Sequence, residues 1–445
     1  MKNIFGTDGV RGVANTQISA NFAMQLGKSF AVYITQSQQT EDYTICIGRD
    51  TRISGDMLCS AFVAGVLSMG VNVIDVGICP TPCVSYLVPR LKVNGGVVIT
   101  ASHNPSEFNG IKIMDCNGVK LDSGAEETIS NIFYNITDYL CDTKVGSLIK
   151  DTETVKLWVK HLSDCVDNIN LDGLDIVVDC ASGAGYRVVP YTLRSLGANV
   201  TCLNCDNNGR NINNNCGSTC VDNLVNCIKR GKFHIGFAFD GDADRLVVVD
   251  NNGNVLTGDH LVYIIAKFLH SQGQLYNNTI VATVVSNHGL EHSLEALGIN
   301  VVRTSVGDKF VLQQLLDNGY TLGAENSGHI ILPQYNLCAD GLLASLFLLK
   351  IIKASQKSLS QLVSGYQPYP TVALDVPVSA RQHSLVSQGA LSNSIDELIA
   401  ELGDTGTLLV RTSGTQQVVR ILVEGENLDL INHIAQKLQS LTLSL

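Results

Sequence analysis

In HIGFAFDGDADRLVVVD (234–250) an apolar run leads into Asp240, Asp242 and Asp244, then Arg245, then a second apolar run. Residues two apart on an extended chain face one side, so the spacing predicts three converging carboxylates. Like charges that close repel one another unless a cation neutralises them. Hard carboxylate oxygens suit Mg²⁺. A calcium loop of the EF-hand kind would also need a closing glutamate, and Asn251 stands in that place.

Four further stretches carry reactive side chains. GGVVITASHNPSEFNGIKIM (95–114) runs a buried strand into Ser102-His103-Asn104-Pro105, with Lys112 on the strand that follows. A serine at a strand end suits a nucleophile or a phosphate carrier, although the run also fits a plain Asx turn before proline. TLLVRTSGTQQVVRILVEG (407–425) combines Arg411 and Arg420 with Ser413, Gly414 and Thr415. Guanidiniums, hydroxyls and glycine-exposed N–H groups make a phosphate site, and an ordinary β-turn with surface arginines has the same outline. FGTDGVRG (5–12) places Arg11 in a glycine-rich loop, and GAENSGH (323–329) gathers Glu325, Asn326, Ser327 and His329, a donor and acceptor set that suits sugar hydroxyls. A competing pattern lies at 176–206, where Gly183-Ala184-Gly185 after a strand and Asp206 resemble a dinucleotide-binding unit. Its third glycine is missing, with Val188 in that place.

These residues need a scaffold, and the chain repeats one. GVLSMGVNVIDVG (65–77), TLRSLGANVTCLN (192–204) and SLEALGINVVRTS (293–305) share G-x-N-V, at Gly70, Gly197 and Gly298. Each glycine suits a helix C′ position. Each follows an apolar strand and loop, at 43–52, 174–185 and 279–289. The order strand, loop, helix, glycine, strand is a βαβ unit, so three related α/β domains are expected. After the proline-bearing segment Gln367 to Pro377 the pattern changes to a small α+β domain. Its expected elements are a strand from Thr371 to Val376, a helix from Ala390 to Leu402, strands from Thr407 to Arg411 and Val418 to Glu424, and a helix from Leu428 to Leu441. The divisions fall at 1–150, 151–252, 253–366 and 367–445.

Composition narrows the classes. The 445 residues are 45% hydrophobic and 16% charged, which is globular. A net charge of −11 argues against nucleic acid or an anionic membrane as partner. MKNIFGTDGV at the start has no apolar signal region. The longest apolar run, Leu342 to Ile352 broken by Lys350, reads as a buried helix. Fourteen cysteines are expected as reduced thiols of a cytoplasmic protein. Cys202, Cys205, Cys216 and Cys220 have zinc-like spacing, but strand alternation at Cys202 favours structural thiols.

FGTDGVRG, GRDTRISG, TASHNP, NGIK, DGDADR, GAENSGH and RTSGT, in this order from Phe5 to Gly425, resemble the α-D-phosphohexomutases. RTSVGDKFV (303–311), NINNNCGST (211–219) and Asn326, where a methionine is usual in the mannose and glucose branch, are similar to the glucosamine-phosphate branch. The resemblance implies three α/β domains with mixed sheets around a central cleft and a C-terminal α+β lid. The implied reaction interconverts glucosamine 6-phosphate and glucosamine 1-phosphate, with the mannose and glucose phosphates as alternatives. Ser102 would carry a phosphate, and one Mg²⁺ would bind it together with Asp240, Asp242 and Asp244. Arg11, His103, Lys112 and His329 would serve proton transfer and charge stabilisation. Arg245, Glu325, Asn326 and Ser327 would hold the sugar, and Arg411, Ser413, Gly414, Thr415 and Arg420 its phosphate. Glucosamine 1,6-bisphosphate or glucose 1,6-bisphosphate would be the intermediate or activator, a hexosamine phosphate the small-molecule partner, and a homodimer is compatible. The family's S-G-T-E-P loop here ends Gln416-Gln417, which removes an anion and a rigid residue beside the phosphate.

Overall fold

All three repeat glycines end their helices with positive φ, 77° at Gly70, 102° at Gly197 and 72° at Gly298, a region costly for residues with a Cβ. The computed structural model describes residues 3–6, 8–40, 42–136, 143–403, 406–413 and 417–445. In each repeat the two flanking strands pair in parallel: Thr44–Arg49 with Asn72–Ile78, Asp175–Asp179 with Asn199–Leu203, and Thr279–Thr283 with Asn300–Thr304. The repeat is therefore a true βαβ unit in each case.

Each first strand also pairs, on its other edge, with a further parallel strand: Gly95–Ile99, Ile235–Phe239 and Gly323–Ala324. That strand then turns back into an antiparallel neighbour: Phe108–Met114, Leu246–Asp250 and Ile330–Ile331. The sheets are mixed for this reason. The stretches holding Ser102, the three aspartates and Glu325 with His329 are these three turns. All three occupy one topological place, the carboxyl end of the outer parallel strand, where open α/β sheets bind ligands.

Val10–Val13 and Leu148–Lys150 complete a six-stranded first sheet, and Val255–Leu256 a five-stranded second one. One apolar cluster crosses all three units, from Val84 and Val98 through Trp158 and Phe237 to Leu342 and Phe347. Trp158 is fully buried, and its indole donates to Asp340 Oδ2 at 3.2 Å. Asp340 caps the helix Gly341–Ser355, the long apolar run foreseen as buried, by accepting from Leu343 N at 2.9 Å.

The C-terminal unit is a three-stranded antiparallel sheet ordered Thr371–Pro377, Val418–Glu424, Thr407–Thr412, with a core of its own around Val419, Ile421, Ile434 and Leu438. Two expectations here need correction. The helix expected from Ala390 starts at Ser392, and a separate helix Ala380–Ser387 precedes it. Ser379 and Gln382 start that extra helix with a reciprocal capping box, and Gly389 at φ 85° separates the pair. The closing helix continues to Ser444. No described helix is long and apolar enough to cross a membrane.

Replacing Trp158 with alanine removes the indole shared by the units and leaves a cavity. We expect a loss of about 3–5 kcal/mol in urea unfolding followed by circular dichroism. A loss within the ordinary surface range of about 0.5 kcal/mol would contradict the packing described.

Candidate active site

Asp240, Asp242 and Asp244 are all buried, and one carboxylate oxygen from each lies within 4.8 Å of the others. Their convergence does not come from an extended chain, as the spacing suggested. The segment is a tight turn with Ala243 at φ 57°. Gly241 is required there, because a Cβ would lie 2.4 Å from the Ser102 carbonyl oxygen. Asp240 Oδ2 accepts from Ser102 Oγ at 2.6 Å. Asp242 Oδ2 accepts from Thr81 Oγ1 at 2.6 Å and from Lys112 Nζ at 2.7 Å, while its buried Oδ1 has no hydrogen-bond partner. Burial, and then the carboxylates of Asp244 and Asp242, push Asp240 up to about 8. Burial opposes ionisation of Asp244 too, but Lys112, His329 and Arg245 hold it well below the usual carboxylate range. An orphaned oxygen among three hard ligands fits a small divalent cation, so Mg²⁺ would be held by these aspartates beside Ser102.

Ser102 is itself buried and sits at φ 51°. His103 Nδ1 lies 3.3 Å from its hydroxyl. Burial and the nearby Arg245 and Arg11 push His103 down to about 4, so its ring is neutral at pH 7.

Lys112 reaches across from the first sheet to Asp242 and, at 3.0 Å, to Asp244. It opens a line of alternating charge that the motifs did not reveal. Asp8 lies 3.2 Å from Lys112, Lys120 lies 2.5 Å from Asp8, and Asp308 lies 2.7 Å from Lys120. Arg11 pairs with Asp8 and donates to Asn104 Oδ1 at 3.2 Å. Burial works against Lys112, but Asp242, Asp244 and Asp8 keep it firmly protonated.

His329 stands between Asp244, 3.1 Å from Nε2, and Glu325, 2.6 Å from Nδ1, with Arg245 Nε 3.2 Å away. Despite burial, Asp244 and Glu325 push His329 up to about 10, so both ring nitrogens carry protons at pH 7. Glu325 Oε1 also accepts from Gly307 N at 2.9 Å. Asn326 and Ser327 expose their side chains at the tip of this turn.

The third phosphate-like stretch forms a separate cluster. Arg411 and Arg420 are directly opposite on neighbouring strands. Like charges so placed repel, and Asp375, 3.6 Å from Arg420, offsets only part of this. The Ser413 carbonyl accepts from His383 Nε2 at 2.9 Å. Gly414 and Thr415 lie outside the described residues. The hydrogen bonds and ion pairs that join the other turns do not include Arg411 or Arg420 among the described residues.

The dinucleotide-like glycine turn has another use. A Cβ on Gly183 would lie 2.4 Å from the Gly241 carbonyl oxygen, and Ala184 N donates to that oxygen at 2.7 Å. Asp206 is engaged by Ser182 Oγ at 2.6 Å and by Asn211. The turn is a platform for the aspartate loop. Of the zinc-spaced cysteines, Cys216 is buried, Cys202 accepts from Arg194 at 3.3 Å, and Cys205 contacts the Leu203 carbonyl at 3.3 Å.

Comparison with known proteins adds an independent line. Segments 2–140, 156–253 and 257–369 match phosphoglucomutase/phosphomannomutase alpha/beta/alpha domains I, II and III, and 373–440 matches the C-terminal domain of that family. The chain is 42% identical over 442 residues to a phosphoglucosamine mutase of Acetivibrio thermocellus, covering 98% of each chain. Among solved structures, a phosphoglucomutase/phosphomannomutase family protein from Burkholderia thailandensis superimposes with a TM-score of 0.80 at 24% identity, covering 98% of this chain and 96% of that one. An N-acetylphosphoglucosamine mutase of Aspergillus fumigatus, in complex with GlcNAc-6P and magnesium, has a TM-score of 0.61 at 18% identity over 81% of this chain and 91% of that one.

A cation bound by the aspartates must displace the Asp240 proton below about pH 8. Calorimetric Mg²⁺ titrations at pH 7 in two buffers of different ionisation enthalpy should show release of about one proton, and close to none above about pH 9. In the metal-free protein, the raised Asp240 pKa contributes stability that is complete below its unfolded value of about 4 and is lost as pH rises through about 8. Chelation should therefore lower Tm more at pH 8 than at pH 5; an unchanged Tm at both would remove the metal site.

Proposed function

The chain belongs to the phosphoglucomutase/phosphomannomutase family, and on that premise we propose that it interconverts glucosamine 6-phosphate and glucosamine 1-phosphate in the cytoplasm. The product would feed UDP-N-acetylglucosamine and cell-wall synthesis. The observation that carries the chemistry is the Ser102 hydroxyl 2.6 Å from Asp240 inside a buried triad of carboxylates. The units we assign to 1–150, 151–252, 253–366 and 367–445 then carry the phosphoserine, metal, sugar and phosphate loops in turn. The partner is a small hexosamine phosphate, with neither nucleic acid nor membrane required.

Ser102 carries a phosphate in the active enzyme. Asp240, Asp242 and Asp244 would hold Mg²⁺ beside Ser102, and the chemistry it would supply there is Lewis-acid withdrawal of charge from the phosphoryl group. The substrate's own phosphate is held by Arg411, Ser413, Gly414, Thr415 and Arg420, which leaves its free hydroxyl facing Ser102. The phosphorus–oxygen bond to Ser102 breaks as a bond to the sugar oxygen forms, and the proton lost by that sugar hydroxyl ends on the Ser102 oxygen, giving a 1,6-bisphosphate and a free serine hydroxyl. The sugar then turns over, and its opposite phosphate returns the phosphoryl group to Ser102. Lys112, engaged with Asp242 and Asp244, and His329, between Asp244 and Glu325, bring positive charge to where charge develops on the transferring group. Neutral His103 and the guanidiniums of Arg11 and Arg245 complete the surroundings of the serine. Glu325, Asn326 and Ser327 hold sugar hydroxyls in both poses.

Two outcomes test this reading. Ser102→Ala should abolish the phosphate seen by intact-mass analysis and lower turnover by at least about a thousandfold; near-normal turnover rejects a phosphoserine route. Arg420→Ala should raise KM for glucosamine 6-phosphate about tenfold, with kcat little changed. The sugar itself is tested by kcat/KM, which should favour glucosamine 6-phosphate over mannose 6-phosphate; the reverse order would move the chain to the mannose branch.

A further inference from the structure

We propose that Asn213 and Arg52 are positioning residues that hold the Ser102 loop in its transfer geometry from two sides, an inference that rests on the phosphoserine reading above. The amide of Asn213 donates to the Ser102 carbonyl at 2.8 Å and to the Asn104 carbonyl at 2.9 Å. The guanidinium of Arg52 donates to the same two carbonyls, at 3.0 and 2.7 Å. Two oxygens of one loop thus share two donors that arrive from different units. Arg52 also reaches the carbonyls of Phe108, at 2.9 Å, and Pro105. Its Nε is fixed by Asp50 at 2.9 Å, and Asp50 accepts in turn from Thr100 Oγ1 at 2.6 Å. The Thr100 hydroxyl then accepts from Ser102 N at 3.0 Å.

The clamp has a conformation to maintain. Ser102 sits at φ 51°, which a residue with a Cβ leaves unless its surroundings prevent it. Relaxation to negative φ would swing the hydroxyl away from Asp240. The carbonyl that the clamp grips is the one packed against Gly241 of the aspartate loop. Asn213 is mounted on the same support as that loop: its N–H donates to the Ala181 carbonyl at 2.9 Å, beside the glycine turn that carries Gly241. The Arg52 segment is tied to the second unit as well, through Thr51 Oγ1 to the Ser182 carbonyl at 2.5 Å and Ile53 N to the Gly209 carbonyl at 2.9 Å. The side chains therefore set the distance between the phosphate-bearing serine and the aspartates. A cycle that transfers in both directions needs that distance unchanged when the phosphate is on the sugar.

Asn213 is half-buried and carries no charge, so its replacement is the cleaner test. Asn213→Leu fills a similar volume without donors, and Asn213→Ala removes both volume and donors. The full-length variants would be prepared with Ser102 phosphorylated, the occupancy being measured by intact mass. Both should lower kcat, and the single-turnover rate of phosphoryl transfer to glucosamine 6-phosphate, by about 10- to 100-fold, with KM within about threefold of wild type. The ³¹P resonance of the phosphoserine should broaden or shift in both. A residue that only fills space would be rescued by leucine. Asn213→Leu with wild-type kcat and transfer rate overturns the proposal, as does a change confined to KM. If one variant fails to fold, the other gives the same reading, and Arg52→Lys, which keeps the charge and loses the fork, should show the same split. Wild-type protein whose phosphate never leaves Ser102 would overturn the phosphoserine reading and the clamp together.

Discussion

Three carboxylates buried within 4.8 Å of one another cannot all ionise unless positive charge is brought to them. The rest of the molecule is arranged around that requirement. Each α/β unit sends one cation to the same place: Lys112 from the first, Arg245 from the second and His329 from the third. These cations lower the proton affinity of Asp244, the carboxylate they engage most closely. The free oxygen on Asp242 and the protonated state favoured at Asp240 leave room for one more charge. The electrostatic deficit of one loop thus demands that three units meet, and their shared apolar cluster holds them there.

The repeated topology explains how such a meeting arises. In each unit the chain leaves the outer parallel strand at its carboxyl end and returns antiparallel, and the chemistry sits in that turn. Copies of one structural solution have been given a serine, an aspartate triad and a glutamate–histidine pair. Sheet pairing fixes the strands, so the turns are free to vary in content.

Much of this could be read from the residues alone. The G-x-N-V glycines announced the βαβ units because only a left-handed helix end favours glycine so consistently. The aspartates stood out because three carboxylates so closely spaced between apolar runs call for a cation, whereas the serine's run alone fitted an Asx turn equally well and gained its meaning from the order of the motifs. The extended-chain argument for Asp240, Asp242 and Asp244 reached the right grouping through the wrong geometry, since the turn at Ala243 depends on contacts with Ser102 that lie 138 positions away in the chain. Asp8, Lys120 and Asp308 gave no local sign of forming a line of charge, because their partners are far apart in sequence. The helix at Ala380–Ser387 was legible in principle, through Ser379 and Gln382. Gly183 lent weight to the weak rival pattern, because a tight turn against another backbone and a tight turn against a pyrophosphate ask for the same residue.

The seam between the fourth unit and the third differs in kind from the seams among the first three. Glu424 is buried there and accepts from Asn287 Nδ2 at 2.8 Å and His288 N at 2.7 Å, while the Asn287 side chain also binds the backbone at Tyr369. Among the described residues, the apolar core of this unit includes none from the others. Opening this joint exchanges hydrogen bonds for water at little cost in hydration of greasy surface, whereas parting the first three units would wet a common interior. A load on the fourth unit is therefore borne by a polar joint, while the first three units share one continuous interior.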